Sequence, residues 1–359
     1  AQLGYEGPVT VENCQIGPKV ELKGGYFKEA VFLEGANMGL AAHVREGCIL
    51  EEQAGGAHCV GLKQTILFPF VTLGSLINFC DCLMAGGTSR KNHSEVGSSY
   101  IHFNFSPSGD KTTPSLIGDV PRGVMLNQPP IFLGGQGGMV GPLRLGYGNV
   151  VAAGTILRQD FKEANKLIVG KPHRGAVLDF NPYAYPNLPH VVENNFFYLA
   201  NLMALEHWYV FVRQPFFNRQ EFGELIYTGL VDKLTKARKE RIKRLKDMAG
   251  KIGESLKGTG SKGHSGGSRQ EFQENIEQAC DLFPRKAGAD AEAEHRDRFL
   301  TLFFNHKKDH EGSYVEVVKS LPTAASEAGT LWLDRIILDL CRRVAALFPS
   351  MDLFKKTIS

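Results

Sequence analysis

The 359-residue sequence has no run of 18 apolar residues, so no transmembrane helix is expected. It has no basic–apolar–small signal peptide pattern at its start. It begins at Ala1 without a methionine, directly in turn-rich sequence, as a fragment of a longer protein would. Strong charge is missing too: 41 Lys and Arg face 38 Asp and Glu, a net +3, too mild to argue for a nucleic-acid partner. The seven cysteines include no C-x2-C pair, which removes the usual thiolate metal spacing, and no metal is expected. Cys80 and Cys82 are one residue apart and would share a strand face. The cysteines read as small buried residues of a reducing compartment, and a cytoplasmic location is expected.

What is present divides into two kinds of sequence. With 43% hydrophobic and 22% charged residues the chain is an ordinary globular one, long enough for two or three domains. Residues 1–160 are rich in Gly, Val, Leu and Ile in short periodic runs. Residues 161–193 form an extended connector containing "KPHRGAVLDFNPYAYPNLPH". Residues 194–359 are helical in pattern, with a flexible Gly/Ser linker near 257–269. Helices are expected over Asn194–Phe217, Asp232–Gly250, Gln270–Phe283, His295–His306 and Glu327–Phe348. The basic run from Lys233 to Lys251 could meet an acidic partner, but reads better as a solvated helix face.

In "AVFLEGANMGLAAHVREGCIL", Phe32, Met38, Val44 and Leu50 stand six apart, and the small residues Ala30, Ala36, Ala42 and Cys48 precede each by two. The register continues through Gly56, Leu62 and Phe68, slips by one to Leu73 and Phe79, and returns as Leu133, Met139, Leu145, Val151 and Leu157. A period of six fits neither a helix nor a simple alternating strand. It fits short strands joined by turns, each strand one side of a triangular coil of about 18 residues, with one large residue per side pointing inward. A single coil cannot bury its row, but stacked coils can.

The pattern resembles the hexapeptide-repeat, left-handed parallel β-helix family, and the expected fold is such a β-helix followed by an α-helical domain. The repeat breaks between about Gly86 and Asn127, where "GSSYIHFNFSPSGDKTTPSLIGD" stands. This stretch resembles the β-helix of the bifunctional enzymes that join N-acetylglucosamine-1-phosphate uridyltransferase to glucosamine-1-phosphate acetyltransferase, in the order Ile101, Asn104, Phe105, Gly109, Lys111, Ile117, Gly118, Asp119. "GYGNVVAAGTILRQD" resembles the closing repeat along that family's acetyl-CoA groove, which implies cofactor positions at Gly146, Ala152 and Arg158. The resemblance implies a homotrimer, a sugar phosphate or nucleotide sugar as small-molecule partner, and acetyl-CoA as co-substrate. Asn104 and Phe105 would orient the sugar, and Lys111, Arg122, Arg90 and Lys91 would neutralise phosphates.

The sequence also departs from that family. An ungapped match through "TLGSLINFCDCLM" puts Asp81 where the family has its imidazole base and Met84 where it has a tyrosine, and the family's Asn-Tyr pair reads Asn104-Phe105. Amine acetylation needs a base of near-neutral pKa, and an ordinary Asp is a poor one unless burial raises it. His93 and His102 flank the same interruption and are the alternative bases. "GGQGGMVGP" lacks the Thr and Lys of the uridyltransferase phosphate loop and reads as coil-turn glycine, so that active site is not expected here. A second reading is a non-catalytic trimeric scaffold whose helical half docks a partner or caps the prism. A third, a γ-class carbonic anhydrase, would need three of His43, His58, His93 and His102 as zinc ligands, and no two of them stand five apart as that family requires.

Overall fold

The computed structural model describes residues 1–104, 111–171, 175–177, 185, 187–258, 264–283 and 292–355, the side chains of 254–258 and 264–266 excepted. Three parallel sheets of nine, eight and seven strands, here A, B and C, wind a β-solenoid of about nine turns. Asn37 pairs with Gly55 in sheet A, His43 with Gly61 in sheet B and Cys48 with Ala30 in sheet C, each an 18-residue step. The expected β-helix followed by helices is therefore the architecture found.

The inward row on sheet C is Phe32, Leu50, Leu67, Met84, Ile117 and Leu145. All are buried, as are Met38, Leu73, Val96 and Leu133 on sheet A and Phe27, Val44, Leu62 and Phe79 on sheet B. The register slip lies one hexad earlier than the sequence pattern places it. Leu50 pairs with Leu67, a 17-residue step, so Leu67 and not Phe68 enters the prism. Phe68 is equally buried but lies outside, beneath Gly123, where an added Cβ would come within 3.0 Å of its ring.

Most corners set one residue in the left-handed region. On the corner between sheets B and C these are Asn13, Glu29, Gly47, Gln64, Asp81 and Lys111. Asn, Asp and Gly tolerate that conformation best, which gives Asp81 a structural reason to be there.

The strands of sheet A continue to Leu167–Ile168, past residue 160. A short helix, α1 (Val120–Gly123), sits in the interruption of the repeat, capped by the Asp119 side chain. Beyond the connector come α2 (Leu188–Trp208), a π-helical turn (Tyr209–Arg213), α3 (Gln214–Phe217), α4 (Gly223–Gly258), α5 (His264–Cys280), α6 (Ala293–Asp309), α7 (Tyr314–Lys319) and α8 (Thr323–Leu347). Helices α4 and α5 both extend into the stretch expected to be a linker; residues 259–263 lie outside the described residues.

The helices cover one face of the prism. The outward row of sheet C reads Val31, Ile49, Ile66, Leu83 and Leu116, all buried, between Gln15 and Arg144. The same row on sheet A reads Asn37, Gly55, Thr72, and on sheet B His43, Gly61, Asn78. At about 25 cal/mol per Å², five buried aliphatic side chains are the main attraction holding α2 and α4 on this face. Helix α4 runs along the solenoid axis: Gly229 abuts Gln15 on the first coil, and Met248 meets Thr112 several coils on. That helical stretch rises about 28 Å, and the five coil steps it crosses about 24 Å.

Candidate functional site

The residues singled out on the B/C corner are placed together, and α4 lies on top of them. Asp81, the left-handed corner residue of its coil, is buried. One guanidinium joins it to the next corner: Arg241 donates through Nη2 to Asp81 Oδ1 at 2.8 Å and through Nη1 to the Lys111 carbonyl at 2.8 Å. Burial pushes the Asp81 carboxyl above its ordinary value, with Arg241 opposing. An acid so placed has its charge answered from within the chain and no open path to a substrate amine.

His102 stands in the inward row of sheet B, in register between Phe79 and Met139. Its Nε2 shares a hydrogen bond with Ser115 Oγ at 2.9 Å. Burial holds its pKa down at about 4, against a hydrogen bond with the Cys80 backbone. It is a neutral interior side chain. Asn104 is exposed, and so is the Lys111 side chain; Phe105 lies outside the described residues.

The remaining candidates lie elsewhere. Arg122 in α1 is bound at 3.0 Å to both Asp119 and Asp334 of α8, so it fastens helix to solenoid. Arg90 and Lys91 form the tip of an antiparallel hairpin, Gly87–Ser89 with Asn92–His93, on the C/A side. His93 there bonds through Nδ1 to the Arg90 carbonyl at 2.9 Å and lies 3.8 Å from Glu95. Gly146 is a packing glycine, since a Cβ would come within 2.5 Å of the Lys162 carbonyl. Ala152 is half-buried, and Arg158 is exposed. The phosphate-neutralising cations thus do not share one cleft within a single chain. His43, His58, His93 and His102 are on an outer face, an edge, a hairpin and the interior, and among the described residues no cluster of three His, Cys, Asp or Glu is placed to hold a metal. No helix of the described residues is long and apolar enough to cross a membrane.

The sequence reading missed the buried ionic cluster on the C/A edge. Arg213, at the end of the π-helical turn, binds Glu51 at 3.0 Å and also Glu52, and its guanidinium stacks 3.8 Å from the Tyr314 ring centre. Tyr209, at the start of the same turn, donates to Glu51. Burial pushes Glu51 up to about 7, with Arg213 opposing and Glu52 reinforcing. The only signal in the sequence was the adjacent acidic pair on a corner. The basic run was also misread. Lys233, Arg238 and Arg241 are buried, and Lys236 pairs with Glu29 at 2.9 Å, so much of this helix face is turned onto the protein.

No family model matches the chain. Its relatives include Bifunctional protein GlmU of Thermotoga maritima, 23% identical over 155 residues, 43% of this chain and 31% of that protein. GlmU of Trichlorobacter lovleyi is 26% identical over 168 residues, 46% of this chain and 33% of that protein. This chain carries a hexapeptide-repeat β-helix that resembles the C-terminal β-helix of GlmU. It spans about a third of the length of the curated relatives it matches.

Proposed function

We propose that this chain is the β-helix region of a sugar-nucleotide transferase-related protein, that it binds a sugar phosphate or nucleotide sugar, and that its B/C corner serves to dock the helical half and not to transfer acetyl groups. The observation that carries this reading is the Arg241 guanidinium bound to both Asp81 and the Lys111 carbonyl. A base that must collect a proton cannot also be the buried counter-ion of a fixed arginine. The likeness to GlmU supports the sugar-nucleotide assignment. A homotrimer is the assembly we propose, supported by the exposed row Phe132, Val150 and Leu167 stacked in register on sheet A.

Thermal unfolding with added ligand tests the reading. At about 100 times its Kd a ligand adds about 2.7 kcal/mol, a rise of a few degrees. Glucosamine 1-phosphate or UDP-N-acetylglucosamine should raise Tm and acetyl-CoA should not. A rise with acetyl-CoA restores the acetyltransferase reading at a cleft between subunits; no rise with any of the three leaves a scaffold.

A further inference from the structure

The hairpin that ends in Arg90 folds back over the solenoid. Arg90 Nη1 donates to the Gln53 carbonyl at 2.9 Å and to Thr72 Oγ1 at 3.0 Å. Both acceptors are neutral. Four other cations of the solenoid surface are matched with acids, Lys19 with Glu34, Lys23 with Glu6, Lys28 with Glu12 and Lys63 with Glu46, all at 3.0 Å or less. Arg90 has no carboxylate at ion-pair distance among the described residues. Its charge is held in place without being cancelled, which is what an anion site requires of an arginine.

Arg90 forms one wall of an open groove of about 380 Å³ on the outer face of sheet A and its edge with sheet B. That volume is in the range of small-molecule sites. The floor is low because Gly55 lies between Asn37 and Thr72 in the outward row, where a Cβ would come within 2.6 Å of Asn37 Oδ1. Polar side chains line the groove together with the apolar Leu40 and Leu73. His58 has its Nδ1 fixed by Ser75 Oγ at 2.9 Å, Asn37 is half-buried, and Glu6 and Lys23 close the far side as a pair. Of the negative charges nearby, Glu6 is engaged by Lys23 at 2.7 Å, and Glu95, in register beside Thr72, lies 3.8 Å from the His93 ring.

We propose that this groove is the sugar-phosphate site, with Arg90 receiving the phosphate and Asn37 and His58 bonding the sugar hydroxyls. The proposal rests on the sugar-phosphate reading above and gives it a location away from the B/C corner.

Calorimetric titration of glucosamine 1-phosphate into the full chain and its variants tests it. Arg90→Ala should weaken binding at least tenfold, Arg90→Lys by less, and Asn37→Ala measurably. Lys171→Ala, at an exposed cation with no place in the groove, should leave it unchanged, and inorganic phosphate should compete. Melting temperatures of the variants separate loss of the site from loss of the fold. Wild-type binding that survives both Arg90→Ala and Asn37→Ala, or that Lys171→Ala weakens as much, overturns the groove and leaves the functional reading intact. Absence of wild-type binding of both glucosamine 1-phosphate and UDP-N-acetylglucosamine overturns the functional reading itself.

Discussion

Arg241 and Asp81 lie 160 positions apart in sequence and meet at 2.8 Å beneath the longest helix. Both are buried, so removing one partner strands the other. Asp81→Asn keeps a residue that tolerates the left-handed corner but leaves the guanidinium without a counter-charge, and should cost about 3 kcal/mol or more. The double variant Asp81→Asn, Arg241→Met should cost less than the two single changes added together. Urea denaturation of all four proteins measures this, and additive costs would mean that the pair is not coupled.

Glu51 should give stability a pH dependence of unusual sign. Its pKa is about 7 in the fold against an ordinary 4.5. Between those values the folded chain holds a proton that the unfolded chain has released. This contribution is present below pH 4.5, falls as pH rises toward 7, and is gone above it. The stability difference between wild type and Glu51→Gln should therefore decline across pH 4.5–7. A constant difference would show that Glu51 titrates as it does in the unfolded chain.

His102 acts in the opposite direction. Its pKa is about 4 in the fold against an ordinary 6.5. As pH drops from 6.5 to 4 the unfolded chain takes up a proton that the buried imidazole refuses, so stability is lost on acidification. His102→Met, with the apolar chemistry of its neighbours Phe79 and Met139, should flatten that loss. Should the variant instead lose stability in parallel with wild type across the window, another group is responsible. The Glu51 and His102 windows overlap, so only the variants resolve them.

The covered face of the prism predicts a contrast between positions in equivalent register. Ile66→Ala opens a cavity under the helices and should cost about 2–5 kcal/mol. Asn78→Ala, on the exposed outward row of sheet B, should change stability by about 0.5 kcal/mol or less. Equal effects in chemical denaturation would mean that the helices do not rest on sheet C in solution.

The prism was legible because its inward row is a constraint repeated at every side: Phe32, Met38, Val44 and Leu50 could satisfy no other period. The slip was misplaced at Phe68 because that residue is apolar for a different reason, its burial under Gly123. The covered face was also present in the sequence, as Val31, Ile49, Ile66 and Leu83 each stand one residue before an inward one, where the early coils of the other two faces carry Asn37, Gly55 and Thr72 or His43, Gly61 and Asn78. What could not be read locally was pairing across the chain. Lys236 and Arg241 look like a solvated face until Glu29 and Asp81 are seen beneath them. The resemblance draws attention to Asp81, but the chemistry of that residue is set by a helix that the resemblance does not include.

A triangular prism has three long edges, and the helices grip two. Lys236 and Arg241 hold the B/C edge, and Arg213, Arg122 and Lys319 over the Phe70 ring hold the C/A edge. Only the A/B edge, carrying the exposed Leu40 and Leu76, is left bare among the described residues. Copies arranged about a common axis with that edge and the exposed row of sheet A turned inward would have their helical halves pointing outward like vanes. The groove of Arg90 borders the same edge, so each neighbour would supply the wall that a single chain leaves open.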